Sequence, residues 1–215
     1  MTVHQDTNTA PLLHVVDDDE PTRKALARLL MAAGFDVRTY ATAAEILAGL
    51  DSSRPGCVIL DLRLPGSSGL DVQMSIATRD DPLPVIFLTG HGEVPDSVRA
   101  IQRGAVDFLT KPVEGAVLLE AVSRALTRDA EDRAERERRR VVRGRYERLT
   151  PREREVFAHL ISGQLNKQVA ADLSIAERTI KLHRARILEK LEVDSMAGLA
   201  RLAVELGIDP DPQGT

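Results

Sequence analysis

The sequence predicts an α/β domain with a five-stranded, doubly wound parallel sheet, followed by a smaller all-α domain of four helices. Three observations lead to this prediction. The chain has 215 residues, a length that suits two domains better than one. Short apolar runs alternate with stretches of helical period through its first part. Its last 67 residues contain no run typical of a strand.

The first part contains five short runs rich in β-branched and aromatic residues, which are typical of strands. These predicted strands lie at 12–16, 36–40, 57–60, 85–88 and 106–109. Amphipathic helices are predicted between and after them, at 21–33, 43–50, 69–78, 95–103 and from 113 onward. Pro21 suits a first helical position, and Thr42 with Glu45 is typical of a capping box. Strands alternating with helices indicate a parallel sheet covered on both faces.

The last part predicts four short helices joined by tight turns. Thr150, Pro151 and Glu153 are typical of a helix start, and Gly163 of its end. Further helices are predicted at about 166–173, 177–191 and 195–206, the last closed by Gly207. The second and third helices have the length and turn of a helix-turn-helix.

Composition excludes several classes of protein. The single cysteine, Cys57, rules out an internal disulfide and a cysteine-based zinc cluster. No apolar run approaches the roughly 18 residues of a membrane span, and the start of the sequence lacks the pattern of a secretory signal. We therefore expect a cytoplasmic protein with no membrane partner.

The net charge of −4 is unevenly distributed along the chain. Residues 1–127 carry a net charge of −6, residues 128–148 carry +3, and residues 149–215 carry −1. This distribution suggests that the acidic first part handles a cation, while the highly charged middle part is a solvated helix or a flexible linker. A basic arm that binds nucleic acid is the alternative for the middle part.

Carboxylates, a hydroxyl and an amine follow the predicted strands at the points where these strands end. The first strand runs into the acidic segment 17–20, and the third ends in Asp61. Thr89 ends the fourth strand, and Lys111 follows the fifth. A dinucleotide-binding protein would place a Gly-rich loop after the first strand, because carboxylates repel phosphate. In a doubly wound sheet these side chains converge at one edge.

This combination of side chains predicts the acceptance of a phosphoryl group. Clustered carboxylates need a counter-charge, and oxygen ligands with room for water suit Mg²⁺. A lysine and a hydroxyl bind phosphoryl oxygens, and an aspartate beside them can act as the nucleophile. A lone aspartate at a strand end is usually a turn residue or cap, but turn chemistry does not select the lysine and the hydroxyl together.

The predicted helix at 177–191 indicates DNA binding. Ile180, Ile187 and Leu191 have the spacing of one buried stripe, and residues 178–190 contain five basic residues and one acidic residue. A basic exposed face suits a helix that enters the major groove. The alternative is an ordinary solvated helix, since Lys and Arg favour surfaces.

Two sets of motifs resemble known domains. VVDDDEP, LDLRLPGSSG, LTGHG and GAVDFLTKP resemble the receiver domain of two-component response regulators, over residues 10–128. LTPREREVFAHLISG, NKQVAADLSI and ERTIKLHRARILEKLEV resemble the LuxR-type helix-turn-helix domain, over residues 147–210. Together they resemble the NarL/FixJ family of response regulators, nearest its FixJ-like members, with 129–146 as a charged linker.

For the receiver, the resemblance implies that a sensor histidine kinase phosphorylates Asp61 in a Mg²⁺-dependent reaction. Thr89 and Lys111 would contact the phosphoryl group, and Thr89 and Phe108 would form the switch. The implied metal site consists of Asp17, Asp18, Asp61 and the backbone carbonyl of Arg63. The resemblance also implies a transcription regulator rather than an enzyme, which performs only its own phosphotransfer and dephosphorylation.

For the DNA-binding domain, the resemblance implies two groups of contacts. Base edges would be contacted by Lys181, Leu182 and Ala185, and phosphates by Lys167, Arg178, Thr179, Arg184 and Lys190. Phosphorylation would promote a homodimer on promoter DNA, with RNA polymerase as a further partner. Apolar candidates for the dimer surface are Val94, Val98, Ile101, Leu109 and Leu118.

Three other functions are weighed against this one. A phosphatase of the haloacid dehalogenase type carries a second Asp two residues after its nucleophile, where this chain has Arg63. A DNA-binding protein that uses its receiver only as a dimerisation scaffold would not need complete acceptor chemistry. An RNA-binding antiterminator would need a different helical output domain.

Overall fold

The protein is described by a computed structural model over residues 10–90 and 99–208, and it divides into two compact units. The first unit ends at Arg133 and the second begins at Ala134. Val94 and Val98, two of the candidates for a dimer surface, lie outside the described residues.

A five-stranded parallel sheet forms the centre of the first unit. Its strands are β1 (Leu12–Val16), β2 (Asp36–Tyr40), β3 (Gly56–Asp61), β6 (Val85–Thr89) and β7 (Asp107–Thr110), and a separate hairpin consists of β4 (Arg63–Leu64) and β5 (Ser67–Ser68). The sheet has the order β2-β1-β3-β6-β7, which confirms the predicted fold class. The antiparallel β4–β5 hairpin was not predicted, because two-residue strands carry no periodic signal.

Helices cover both faces of the sheet. They are α1 (Glu20–Ala32), α2 (Ala43–Gly49), α3 (Gly69–Ala77), a helical segment at 99–102 that we label α4, and the first part of α5 (Gly115–Glu147). Alternate strand residues enter two separate apolar cores, as the two-residue period of a strand requires. Leu60 faces one core and Ile59 the other.

One predicted surface residue is buried instead. Leu118 has no exposed area, because it faces the sheet from α5 and packs in the same core as Ala121 and Val122. The prediction that Leu118 contributes to a dimer surface is therefore wrong. Ile101 is 49% exposed and Leu109 is half-buried.

The second unit is helical over its described residues. The end of α5 is followed by α6 (Pro151–Ile161), α7 (Asn166–Asp172), α8 (Glu177–Leu191) and α9 (Met196–Leu206). The predicted stripe of Ile180, Ile187 and Leu191 is confirmed, since all three side chains are fully buried. Among the helices of the described residues, none has the length and apolar character needed to cross a membrane.

The core of this second unit extends back into α5. Val142 and Leu149 are buried in it, and Tyr146 packs against it with its ring edge-on to Phe157 at 5.3 Å. Val142 and Tyr146 both fall inside the segment 129–146 that the sequence predicts as linker. The last turns of α5 therefore pack as part of the second unit.

Candidate functional site

Three carboxylates meet at the carboxyl-terminal edge of the sheet. Asp17 follows β1 and Asp61 ends β3, and these two strands are neighbours. Asp17 and Asp61 are buried, whereas Asp18 is exposed. One oxygen from each of the three carboxylates lies within 4.8 Å of the others. The structure thus brings together the acidic residues that the sequence predicted to converge.

Lys111 provides the positive charge in this cluster. Its Nζ donates to Oδ2 of Asp17 at 2.6 Å and to Oδ2 of Asp61 at 2.5 Å. Burial lowers the pKa of Lys111, but its hydrogen bonds and charge interactions with the two carboxylates outweigh burial, so this pKa lies above its ordinary value. Burial raises the pKa of Asp17, against the opposing effect of the hydrogen bond from Lys111.

Backbone and side-chain donors fix the orientation of the two buried carboxylates. Oδ1 of Asp17 accepts from the backbone N–H of Asp19, and Oδ1 of Asp61 accepts from that of Arg63, both at 3.0 Å. Arg23 donates to the backbone carbonyl of Asp17 at 2.6 Å. Arg23 was not predicted from the sequence, although its place one turn into the helix that follows the acidic segment could have indicated it.

Thr89 and Phe108 lie on adjacent strands beside this cluster. Thr89 is buried at the end of β6, and its carbonyl accepts from the backbone N–H of Lys111 at 2.7 Å. Phe108, on β7, is half-buried, and its ring centroid lies 6.2 Å from that of Phe87 in the core. Thr89 and Phe108 therefore lie between the strand ends that carry the acidic cluster and the apolar core.

The carboxylate cluster fits a small, hard divalent cation. Carboxylate oxygens are the ligands that Mg²⁺ prefers, and it commonly uses one or two of them together with water. Asp18 is exposed and has room for such water, while Asp61 is held in place by Lys111 and Arg63. The three carboxylates thus form an acidic pocket whose oxygen atoms suit a divalent cation.

The second unit presents a basic helix face. Of the predicted base-contacting residues, Lys181, Leu182 and Ala185 are all exposed on α8, and Leu182 is 51% exposed. Nζ of Lys181 lies 3.2 Å from the carboxylate of Glu177, one turn earlier. Among the predicted phosphate contacts, Lys167 and Arg178 are exposed, whereas Thr179 and Arg184 are half-buried.

Lys190, another predicted phosphate contact, is occupied within the unit. Its Nζ donates to Oε2 of Glu153 at 2.6 Å and to the carbonyl of Arg148 at 3.3 Å. Glu153 is 97% buried and also completes the capping box with Thr150 at the start of α6. Because its ammonium group neutralises this buried carboxylate, we leave Lys190 out of the proposed DNA-contacting set.

The two units match two known protein families. Residues 13–123 match the response regulator receiver domain, and residues 147–203 match bacterial regulatory proteins of the luxR family. The chain is 41% identical to Nodulation protein W of Bradyrhizobium diazoefficiens, covering 95% of this chain and 90% of that protein. It is 38% identical to the transcriptional regulatory protein FixJ of Rhizobium meliloti, covering 92% and 97%.

Two solved structures are similar over nearly the whole chain. The response regulator StyR has a TM-score of 0.76 at 41% identity, covering 91% of this chain and 99% of StyR. Full-length FixJ from B. japonicum has a TM-score of 0.55 at 35% identity, covering 94% and 99%. The chain therefore belongs to the FixJ-like response regulators of transcription, with a receiver domain followed by a LuxR-type DNA-binding domain.

Proposed function

We propose that Asp61 accepts a phosphoryl group from a sensor histidine kinase, and that this phosphorylation controls the binding of the second domain to promoter DNA. The observation that carries the proposal is the contact of one ammonium group, that of Lys111, with both Asp17 and Asp61. This contact holds the Asp61 carboxylate in a defined orientation beside two further carboxylates.

In the transfer, a carboxylate oxygen of Asp61 forms a bond to phosphorus while the bond from phosphorus to the kinase histidine nitrogen breaks. The imidazole leaves with the electron pair of that bond. Lys111 stays charged at neutral pH and binds a phosphoryl oxygen, and the Thr89 hydroxyl donates to another. When bound, Mg²⁺ supplies positive charge to the phosphoryl oxygens. It would be held by Asp17, Asp18, Asp61 and the Arg63 carbonyl.

Phosphorylation adds charge beside Thr89, and we expect its side chain to move toward the new oxygens. This movement opens space beside Phe108, which already contacts Phe87. A further inward rotation of the Phe108 ring would change the surface around β7. Of the candidates for the dimer surface, Ile101 and Leu109 lie within the described residues and keep exposed area.

A homodimer formed through this surface would place two DNA-binding domains on one duplex. The expected DNA site is two half-sites, about one helical turn apart or closer. On each half-site, Lys181, Leu182 and Ala185 would face base edges. The proposed phosphate contacts are Lys167, Arg178, Thr179 and Arg184. RNA polymerase is the proposed further partner of the bound dimer, and the proposed location is the cytoplasm, where bacterial promoter DNA lies.

For the domain organisation we propose a receiver at 10–128, a charged connecting segment at 129–146 and a DNA-binding domain at 147–210. The matches at 13–123 and 147–203 support this organisation. Val142 is buried in the core of the second unit and the partly buried Tyr146 packs against it, which supports the inference that the DNA-binding domain needs the end of the connecting segment.

Phosphoryl uptake by an Asp61→Asn variant tests the proposal. We expect wild-type protein incubated with acetyl phosphate and Mg²⁺ to gain the mass of one phosphoryl group, and Asp61→Asn to gain none, because an amide is a poor nucleophile. Asp71→Asn, an exposed position on α3, is the matched control and should react like the wild type. Equal uptake by Asp61→Asn and wild type, measured by intact mass, would show that the acceptor lies elsewhere.

A further inference from the structure

A buried carboxylate on α5 contacts the receiver sheet at the amino-terminal end of a strand, whereas the acidic cluster lies at the carboxyl-terminal ends. Asp129 has no exposed area and lies beyond residue 123, where the receiver match ends. Its Oδ2 accepts from the backbone N–H of Gly56, the first residue of β3, at 3.0 Å. The same oxygen accepts from Nε of Arg133 at 2.8 Å.

Arg133 extends this contact to the segment that precedes β3. Its Nη2 donates to the backbone carbonyls of Ser52 at 2.9 Å and Arg54 at 2.7 Å. Three N–H donors of one guanidinium group thus reach the Asp129 carboxylate and two backbone carbonyls of the segment that precedes β3. We call Asp129, Arg133 and these backbone partners the α5 anchor.

Breaking the anchor should cost much free energy, because one of its members is a buried carboxylate. A buried carboxylate that loses its cationic partner keeps the cost of desolvation without the compensating attraction. The planar guanidinium donates in fixed directions, which a lysine ammonium does not reproduce. The anchor therefore specifies both the position and the rotation of α5 at residues 129–133.

Two arginines further along α5 are held differently. Arg139 pairs with Glu135 at 2.8 Å and Arg140 with Glu137 at 3.2 Å, both within the helix itself. These pairs are exposed, and exposed pairs of this kind contribute little to stability. The anchor ends at Arg133, which is also the last residue of the first unit.

We propose that Asp129 and Arg133 are positioning residues that attach the connecting helix to the receiver, so that phosphorylation can change DNA binding. The inference rests on the proposed function. Helix α5 runs continuously from Gly115 to Glu147 and is the covalent connection between the two units. A change in the receiver passes along this connection only if the helix is held to the receiver, and the anchor is a buried polar contact that holds it there.

The test compares full-length Arg133→Ala and Asp129→Asn with wild type. Asp132→Asn is the matched control, because it removes the partly exposed Arg128 ion pair from the same helical turn without touching the anchor. The first readout is the rate at which trypsin cleaves after the arginines at 136–143. Loss of the charged hydrogen bonds should release this part of α5 from the receiver and raise the cleavage rate about tenfold in Arg133→Ala, less in Asp129→Asn, and not at all in the control.

The second readout is the gain in DNA affinity on phosphorylation, on a duplex selected in vitro with phosphorylated wild-type protein. We expect both anchor variants to take up the phosphoryl group as wild type does, to bind DNA like wild type without it, and to lose most of the gain. An anchor variant with wild-type cleavage and a wild-type gain overturns the inference. A wild-type protein that shows no gain overturns the proposed function instead, and the cleavage rates still decide whether the anchor exists.

Full-length Arg133→Lys covers the case in which Arg133→Ala does not fold. Lysine keeps the charge near Asp129 but lacks the three fixed donors that reach Asp129, Ser52 and Arg54. We expect a folded receiver, shown by normal phosphoryl uptake, with intermediate linker cleavage and an intermediate loss of the gain. Wild-type values of both readouts in Arg133→Lys would show that charge alone, and not the anchor geometry, is required.

Discussion

Removing residues 134–146 should strongly destabilise the DNA-binding domain, although its family match begins only at residue 147. The deleted segment contains Val142, which is 7% exposed, and Tyr146, whose ring packs edge-on to Phe157. The guanidinium of Arg154 lies 5.5 Å from the centre of the Tyr146 ring. A fragment that starts at 147 loses all of these contacts with one deletion.

The magnitude follows from the separate contacts. Burial of a valine side chain is worth about 1.5–3 kcal/mol, and the aromatic pair adds about 0.5–1.5 kcal/mol. The cation–π contact of Arg154 adds about 0.5–1 kcal/mol. The partly exposed ion pair between Arg145 and Glu192 adds less than about 1 kcal/mol. The total, about 2.5–6.5 kcal/mol, is a large share of the roughly 4–12 kcal/mol expected for a domain of about 80 residues.

The assay is thermal and urea unfolding of the 134–215 and 147–215 fragments, followed by far-UV circular dichroism. In the longer fragment, Val142→Ala should lower Tm by about 5–10 °C. Val141→Ala is the matched control, because that neighbouring side chain is 43% exposed and should change Tm little. Equal stabilities of the two fragments, or equal effects of the two alanine variants, would refute the argument that the end of α5 belongs to the domain core.

Three further predictions concern DNA contacts and pH. Lys181→Ala should reduce discrimination between selected and random duplexes, whereas Lys167→Ala should weaken both equally and lower the salt slope of binding by about one charge; fluorescence anisotropy across a salt series separates the two. Glu153→Gln should destabilise the second domain by about 1–3 kcal/mol in urea unfolding at pH 7. Burial raises the pKa of Glu153, but hydrogen bonds from Lys190 and the N-cap outweigh burial and lower this pKa. The stability that the ionised Glu153 contributes to the second domain should therefore be lost as pH falls below the ordinary glutamate range. Burial lowers the pKa of His14 to about 4. Because the unfolded chain binds this proton below about pH 6.5, the free energy of unfolding of the receiver should fall by about 2–3 kcal/mol between pH 6.5 and 4. In unfolding titrations, His14→Gln should remove that part of the pH dependence.

The sequence was sufficient for features that depend on local period and chain order. The predicted strands at 12–16 and 36–40 coincide with β1 and β2, and the predicted helix at 177–191 coincides with α8. These agreements follow because strands and helices expose one face at a fixed residue spacing. The acidic cluster was also predictable, because parallel strands end at one edge and the polar residues follow those ends.

Contacts between distant segments were decided only by the tertiary structure. Lys111 could be placed near the acidic residues, but its contact with both Asp17 and Asp61 depends on which strands are neighbours. Asp129 joins Gly56 across 73 residues of chain, and Lys190 joins Glu153 across 37. Lys111, Asp129, Glu153 and Lys190 all have charged side chains, which the sequence pattern alone would place at the surface. Periodicity reports the face on which a side chain lies, whereas its partner is set by the packing of elements that the chain brings together from far apart.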